Sequence, residues 1–203
     1  MRHVNRIEAL AQLTGEGLPY ELTEIEALGR RVRAFKNAPV NLRALFEAGR
    51  SELPFIVYED ERLTFEAAWV ASQRLAAAMV ADYGVEKGDR VAISMRNYPE
   101  WILGFMAATS IGAIAVAMNA LWQPHEMEYG LKDSGAKLLL ADQGRLGRLA
   151  ACEDAPARLA GSAGRATKAL AAGVRSYDAV MAGAAEAAPP ERAVGPDDDA
   201  IML

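Results

Sequence analysis

Cysteine is nearly absent, with Cys152 the one thiol in 203 residues. A single thiol excludes an internal disulfide and points to a reducing compartment, so a cytoplasmic location is expected. Its neighbours Ala151 and Glu153 supply no cation to lower its pKa, and Cys152 is read as inert. Histidine is almost as scarce. His3 and His125 lie far apart, and neither has Cys or His partners at metal-ligand spacing. His125 opens a helix and is assigned a surface or packing role. No excess of cations exists either: 22 Lys and Arg stand against 27 Asp and Glu, a net charge of −5. That excludes nucleic acid as a general partner.

The phosphate-binding fingerprints GxGxxG and GxxxxGK[ST] are missing, as is the GxSxG turn of a serine nucleophile. Ser94 falls within a strand and Ser110 near a helix end. The start, MRHVNRIEALAQL, lacks the long apolar run of a secretory signal and is interrupted by Glu8. The longest charge-free stretch runs from Trp101 to Leu121. Ser110, Ile111 and Gly112 break it, and its halves have different periods. It reads as a buried helix followed by a buried strand, not as a transmembrane segment.

What is present is a regular alternation. Residues 1–40 read as an N-terminal extension, broken early by Gly15, Gly17 and Pro19. Leu22, Ile25, Leu28, Val32 and Phe35 are spaced 3, 3, 4 and 3 apart, which predicts a short helix over 22–35. Arg30, Arg31, Arg33 and Lys36 would then suit its C-terminal dipole as a solvated face. From Asn41, a cap for a helix over 42–48, the pattern sharpens. Phe55–Tyr58 is a strand, followed by a polar turn over 59–62 into Leu63. Thr64 caps a helix from Phe65 to Tyr83, which Gly84 ends. Val91–Met95 is a strand, and Pro99 stands in the first turn of a helix reaching Ile111. Ala113–Met118 is a strand, Pro124 opens a helix to Asp133, Gly135 ends it, and Lys137–Ala141 is a strand. Short apolar strands without polar alternation are buried on both faces. The fold class is therefore α/β, with helices packed on both faces of a mostly parallel sheet.

Beyond Asp142 the pattern fades. Residues 143–190 are rich in Ala, Gly and Arg, and only Tyr177–Met181 forms an apolar cluster. The stretch 155–173 has few large apolar residues. Asp197, Asp198 and Asp199 are adjacent, point in different directions, and read as a solvated loop or cap, not a metal site. Ala200–Leu203 looks like the start of a strand. Trp69, Trp101 and Trp122 read as core or interface residues. The side chains alone reveal no catalytic, cofactor-binding or metal-binding constellation.

A resemblance adds what the chemistry does not. Leu63-Thr64-Phe65-Glu66, Gly84-Val85 with Lys87-Gly88-Asp89-Arg90-Val91-Ala92-Ile93, Asn97-Tyr98-Pro99-Glu100-Trp101, Gly112-Ala113 through Asn119, and Leu131 with Asp133-Ser134-Gly135-Ala136-Lys137 occur in order. Together they resemble the N-terminal subdomain of AMP-forming acyl-CoA synthetases, luciferases and peptide-synthetase adenylation domains. Ala117-Met118 departs from the family's usual proline before Asn119. Residues 143–175 fit poorly, where the family would have another strand. Asp197–Leu203 is similar to the strand that precedes the family's phosphate-gripping loop.

The resemblance implies residues 41–203 as a partial N-terminal domain of an AMP-dependent ligase. It implies ATP, Mg²⁺ and CoA as cofactors of the parent family, with none expected to bind this chain tightly. A carboxylic (fatty) acid is the implied substrate. The implied reaction joins the acid to ATP as an acyl-adenylate and then passes the acyl group to CoA. An acyl-CoA ligase is preferred to a peptide-synthetase domain, because no carrier domain accompanies it. No catalytic residue carries over, so the chain is expected to act as scaffold and channel wall. The alternative is a non-enzymatic binding module, with self-association favoured by an unfinished sheet.

Overall fold

A computed structural model describes residues 5–150, 152, 160–163, 170, 173–184, 188–189 and 191–203. The chain divides into two compact units, Met1–Asn41 with Gly195–Asp197, and Leu42–Val194 with Asp198–Leu203.

In the first unit, helix α1 (Arg6–Thr14) is opened by a reciprocal box in which Asn5 and Glu8 cap each other's backbone N–H groups. Strands β1 (Leu22–Ala27) and β2 (Arg30–Phe35) then form an antiparallel hairpin. The predicted helix over 22–35 is therefore wrong. Its apolar residues pair across the strands instead, Leu22 with Phe35 on one face and Ile25 with Val32 on the other. Leu28 and Gly29 both have positive φ, at 49° and 71°, as a two-residue type I′ turn requires. Arg33 lies opposite Glu24 and Arg31 opposite Glu26, so the cations face carboxylates across the hairpin, not a helix dipole.

The second unit begins with α2 (Leu42–Ala48), β3 (Pro54–Tyr58) and β4 (Glu61–Thr64). β3 was expected to lead the parallel sheet, but it pairs only with β4, antiparallel, through the tight Glu59–Asp60 turn. Next come α3 (Phe65–Tyr83), β5 (Arg90–Ser94), α4 (Pro99–Ser110), β6 (Ile114–Ala117), α5 (Pro124–Ser134), β7 (Leu138–Ala141) and α6 (Gln143–Leu149). β8 (Ala160–Ala163), β9 (Arg175–Ser176), α7 (Tyr177–Gly183) and β10 (Ile201–Met202) complete the described elements.

The expected caps are in place. Thr64 Oγ1 accepts from the Ala67 N–H at 3.0 Å, and Gly84 and Gly135 end α3 and α5 in the left-handed conformation.

The main sheet has six strands in the order β10-β6-β5-β7-β8-β9, and every pairing in it is parallel. Alternate residues of its central strands enter opposite cores. Val91, Ile93, Leu138 and Leu140 pack in the core that holds Leu75 and Met79 of α3 and Ala107 and Ala108 of α4. Ala92, Leu139 and Ala141 pack with Met127 and Leu131 of α5 and Leu146 of α6. Helices thus cover both faces, as the uninterrupted apolar strands required.

β8 is a strand within 143–175, where the resemblance implies one and the sequence shows no obvious one. Its backbone pairs with β7, Leu138 with Ala160 and Leu140 with Ser162. α6 and α7 likewise fall where the sequence pattern had faded. The reading of 155–173 and that of His3 lie largely or wholly outside the described residues. No described helix is long and apolar enough to cross a membrane.

Candidate functional site

In an open α/β sheet, ligands gather at the carboxyl ends of the strands, where neighbouring connections leave toward opposite faces. Here β5 leads into α4 on one face and β7 into α6 on the other. Arg96 and Asp142 follow these two strands.

The crevice is filled by the protein's own charges. Asp142 caps α6, accepting the Arg145 N–H at 3.0 Å on Oδ1. Its Oδ2 accepts the Arg96 N–H and Arg145 Nη1, each at 3.0 Å. The Asp142 and Arg145 side chains are only 7% and 8% exposed. Arg145 Nε donates to the Ala120 carbonyl at 2.9 Å, and Arg148 Nη1 donates to the Trp122 carbonyl at 2.7 Å. These carbonyls belong to the loop that leaves β6. One buried ion pair therefore ties together the exits of β5, β6 and β7. A buried pair with its hydrogen bonds satisfied is a brace, and three of the four acceptor sites of the Asp142 carboxylate are taken by the protein itself. Beneath it, Ser94 Oγ is buried without a hydrogen-bond partner among the described residues.

The opposite end of the sheet explains two of the sequence pieces together. Asp89 Oδ2 accepts the Glu86 N–H at 2.8 Å and Lys137 Nζ at 2.6 Å. Arg90 Nε donates to the Ser134 carbonyl at 2.7 Å, and its Nη2 to that of Gly135 at 3.1 Å. The Gly88-Asp89-Arg90 turn thus grips Ser134-Gly135-Ala136-Lys137 from across the β5–β7 pairing. Burial alone would raise the Asp89 carboxyl. The hydrogen bonds from Lys137 and Glu86 outweigh it and hold the group below its ordinary range.

A second concavity lies between β3 and the start of α4. It encloses about 270 Å³ and is lined by Ile56, Val57, Tyr58, Asn97, Tyr98, Pro99, Trp101 and Ile102. The Tyr58 and Tyr98 rings meet edge-on at 5.7 Å. The lining suits an apolar group, and it presents no carboxylate, thiol or imidazole to one. Nearby Tyr177, packed in the adjoining cores, has its phenol pushed up by burial and by Glu100 and Asp178.

The residues singled out in the sequence do not converge. His125 is exposed. Burial pushes the Cys152 thiol up, and its Sγ meets the Pro124 carbonyl at 3.2 Å, which fits an inert thiol. Asp198 pairs with Lys87 at 2.6 Å, and no group of three or more metal-ligating side chains assembles among the described residues. Trp69 packs under Arg43 and Arg50, Trp101 stacks on Phe105, and Trp122 lies against Gly130. Sequence reasoning missed the Asp142–Arg145 pair. Its signal was an Asp one residue before a helix, with an Arg three positions on.

The model of the AMP-binding enzyme family matches residues 45–203. The 2-succinylbenzoate–CoA ligase of Bacillus velezensis is 36% identical over 89 residues, 44% of this chain and 18% of that relative. A solved Brucella canis acyl-CoA synthetase is 26% identical with a TM-score of 0.62, covering 93% of this chain and 32% of that one. The N-terminal domain of FACL13 from Mycobacterium tuberculosis is 25% identical with a TM-score of 0.64, covering 80% of this chain and 41% of that one. The chain spans less than a fifth of the length of the curated relatives it matches. With the family model covering the chain from within α2 to β10, and the doubly covered parallel sheet beneath it, the chain belongs to the AMP-binding enzyme family.

Proposed function

We propose that these residues are the structural front part of an acyl-CoA ligase and carry none of its chemistry themselves. In the whole enzyme, a carboxylate would attack the α-phosphate of ATP, giving an acyl-adenylate and pyrophosphate. The thiol of CoA would then displace AMP and leave a thioester. ATP with Mg²⁺ would need a cradle of donors and free carboxylates. The described residues do not fit that role. The Asp142 carboxylate at the strand ends is consumed by Arg145 and the Arg96 N–H, and Lys87 and Lys137 are held by Asp198 and Asp89. No step is therefore routed through these residues.

The single observation that carries this reading is the occupied crevice. The ion pair that closes it also fixes three strand exits, so this subdomain works as a rigid support. An apolar wall for an acyl group is its other contribution, supported by the concavity beside β3. A cytoplasmic setting accords with the single cysteine.

The test is ATP–pyrophosphate exchange by the purified 203-residue chain with Mg²⁺ and a panel of aryl and fatty acids. No acid-dependent exchange above a no-protein control is expected. Exchange that rises with one acid and saturates would overturn the reading. A second reading, a binding module, is favoured by the exposed apolar side chains of the Met1–Asn41 unit.

A further inference from the structure

We infer that Lys87 is the clamp that seats β10 on the sheet, and that β10 can leave the sheet while the strands beside it stay paired. This goes beyond the reading of the subdomain as a support, because it names the place where the support gives. Strand β10 has little of its own to hold it. It is two residues long, lies at the edge of the sheet, and pairs with β6 through Ile201 opposite Ala115 and Met202 opposite Val116. Ile201 and Met202 stay 45% and 40% exposed, so docking buries little apolar surface.

The brace at the carboxyl end does not hold it either. The β10–β6 pairing is parallel, so β10 ends on the same side of the sheet as β5, β6 and β7. The Asp142–Arg145 pair reaches the Arg96 N–H after β5 and the Ala120 carbonyl after β6. Among the described residues, none of its hydrogen bonds reaches β10.

The amino end is different. Lys87, in the turn before β5, is joined twice to the chain that leads into β10. Its Nζ donates to the Ala193 carbonyl at 2.9 Å and pairs with the Asp198 carboxylate at 2.6 Å. The stem is seated as well. Gly112, just before β6, has a φ of 74°, and a Cβ there would lie 3.0 Å from Lys87 Cγ and 3.3 Å from Val194 Cγ2. The bare glycine thus lets Lys87 and Val194 lie against the backbone that opens β6, whose Gly112 carbonyl accepts the Gly88 N–H at 2.8 Å. One cation therefore joins the starts of β5, β6 and β10. A part-exposed ion pair alone is weak, but a charged hydrogen bond to a carbonyl adds to it. Against a strand with two paired residues, that sum sets how often β10 opens.

Adjacent amides of β6 report its two neighbours separately. The Ala115 N–H donates to the Ala200 carbonyl before β10 at 2.9 Å, and the Ile114 N–H donates to the Asp89 carbonyl before β5 at 2.8 Å. The test is amide hydrogen exchange of these two groups, followed by NMR on the full 203-residue chain. In the parent chain Ala115 should be protected, yet exchange faster than Ile114. Lys87→Met keeps the stem and removes the ammonium. It should speed Ala115 about tenfold, the scale of one charged hydrogen bond lost from a part-exposed site, and leave Ile114 unchanged. Asp198→Asn, which leaves Lys87 its carbonyl, should speed Ala115 less, and Lys87→Arg should keep most of its protection. Four results would each overturn the proposal. Ala115 unprotected in the parent chain would mean that β10 is not seated. Ala115 as slow as Ile114 would mean that β10 opens only with the whole sheet. Equal acceleration of both amides in the variants would make Lys87 a general stabiliser. Unchanged exchange at Ala115 in both Lys87→Met and Asp198→Asn would mean that β10 docks without the clamp.

Discussion

Asp142 and Arg145 show how much one unread pair can decide. Asp142 takes two backbone N–H groups and a guanidinium, all at 3.0 Å. Removing its charge strands Arg145 in the interior. Asp142→Asn is expected to cost about 3 kcal/mol, the scale for breaking a buried pair from one side. A urea-unfolding midpoint equal to that of the parent chain would contradict the role assigned to it. Gly130 poses a steric question. A Cβ there would lie 2.5 Å from the Trp122 ring. Gly130→Ala must therefore displace the indole, and the check is a red shift in tryptophan emission. An unshifted spectrum would mean that the ring has room. The first feature left only the trace of an Asp before a helix and an Arg three positions on, and the second depends on how the loop before α5 folds back onto that helix.

At the scale of elements, the sequence disclosed those that announce their ends. Thr64 and Gly84 bound α3, and Pro124 and Gly135 bound α5, each through a backbone requirement written in one residue. Thr64→Ala should cost about 1 kcal/mol through the lost cap, read by chemical denaturation; no change would show that Thr64 is dispensable. The hairpin deceived for a definite reason. Its apolar residues mirror one another about the Leu28–Gly29 turn, and the resulting spacing of 3, 3, 4 and 3 imitates a helical stripe. The alternation of Thr23-Glu24-Ile25-Glu26-Ala27 was the opposing signal. β8 was illegible because Ala160-Gly161-Ser162-Ala163 has no strand-forming side chains and owes its conformation to β7.

Asp89 joins two elements through Lys137, and its lowered pKa has a testable sign. A depressed carboxylate stabilises the fold fully above its ordinary titration range, near pH ~4, and loses that effect as pH falls through the lowered value. The stability gap between the parent chain and Asp89→Asn should thus narrow on acidification from neutral pH. A gap that stays constant would assign the effect to shape instead of charge.

For the molecule as a whole, the α/β class and the two-faced sheet followed from apolar strands between capped helices. The parallel order, with β10 beside β6, rests on pairings no local pattern contains. The same limit applied to function. The family was legible through five ordered pieces, and two of them prove to be the halves of one brace at the amino end of the sheet. The opposite, carboxyl end looked open to a ligand from topology alone, and only the side chains reveal that Asp142 and Arg145 occupy it. We propose that this chain supports a catalytic site without forming one. Equilibrium dialysis of radiolabelled ATP with Mg²⁺ against the full chain tests it most directly. The account predicts no saturable binding at millimolar nucleotide. Saturable binding that Asp142→Asn abolishes, in a variant still folded by circular dichroism, would contradict it.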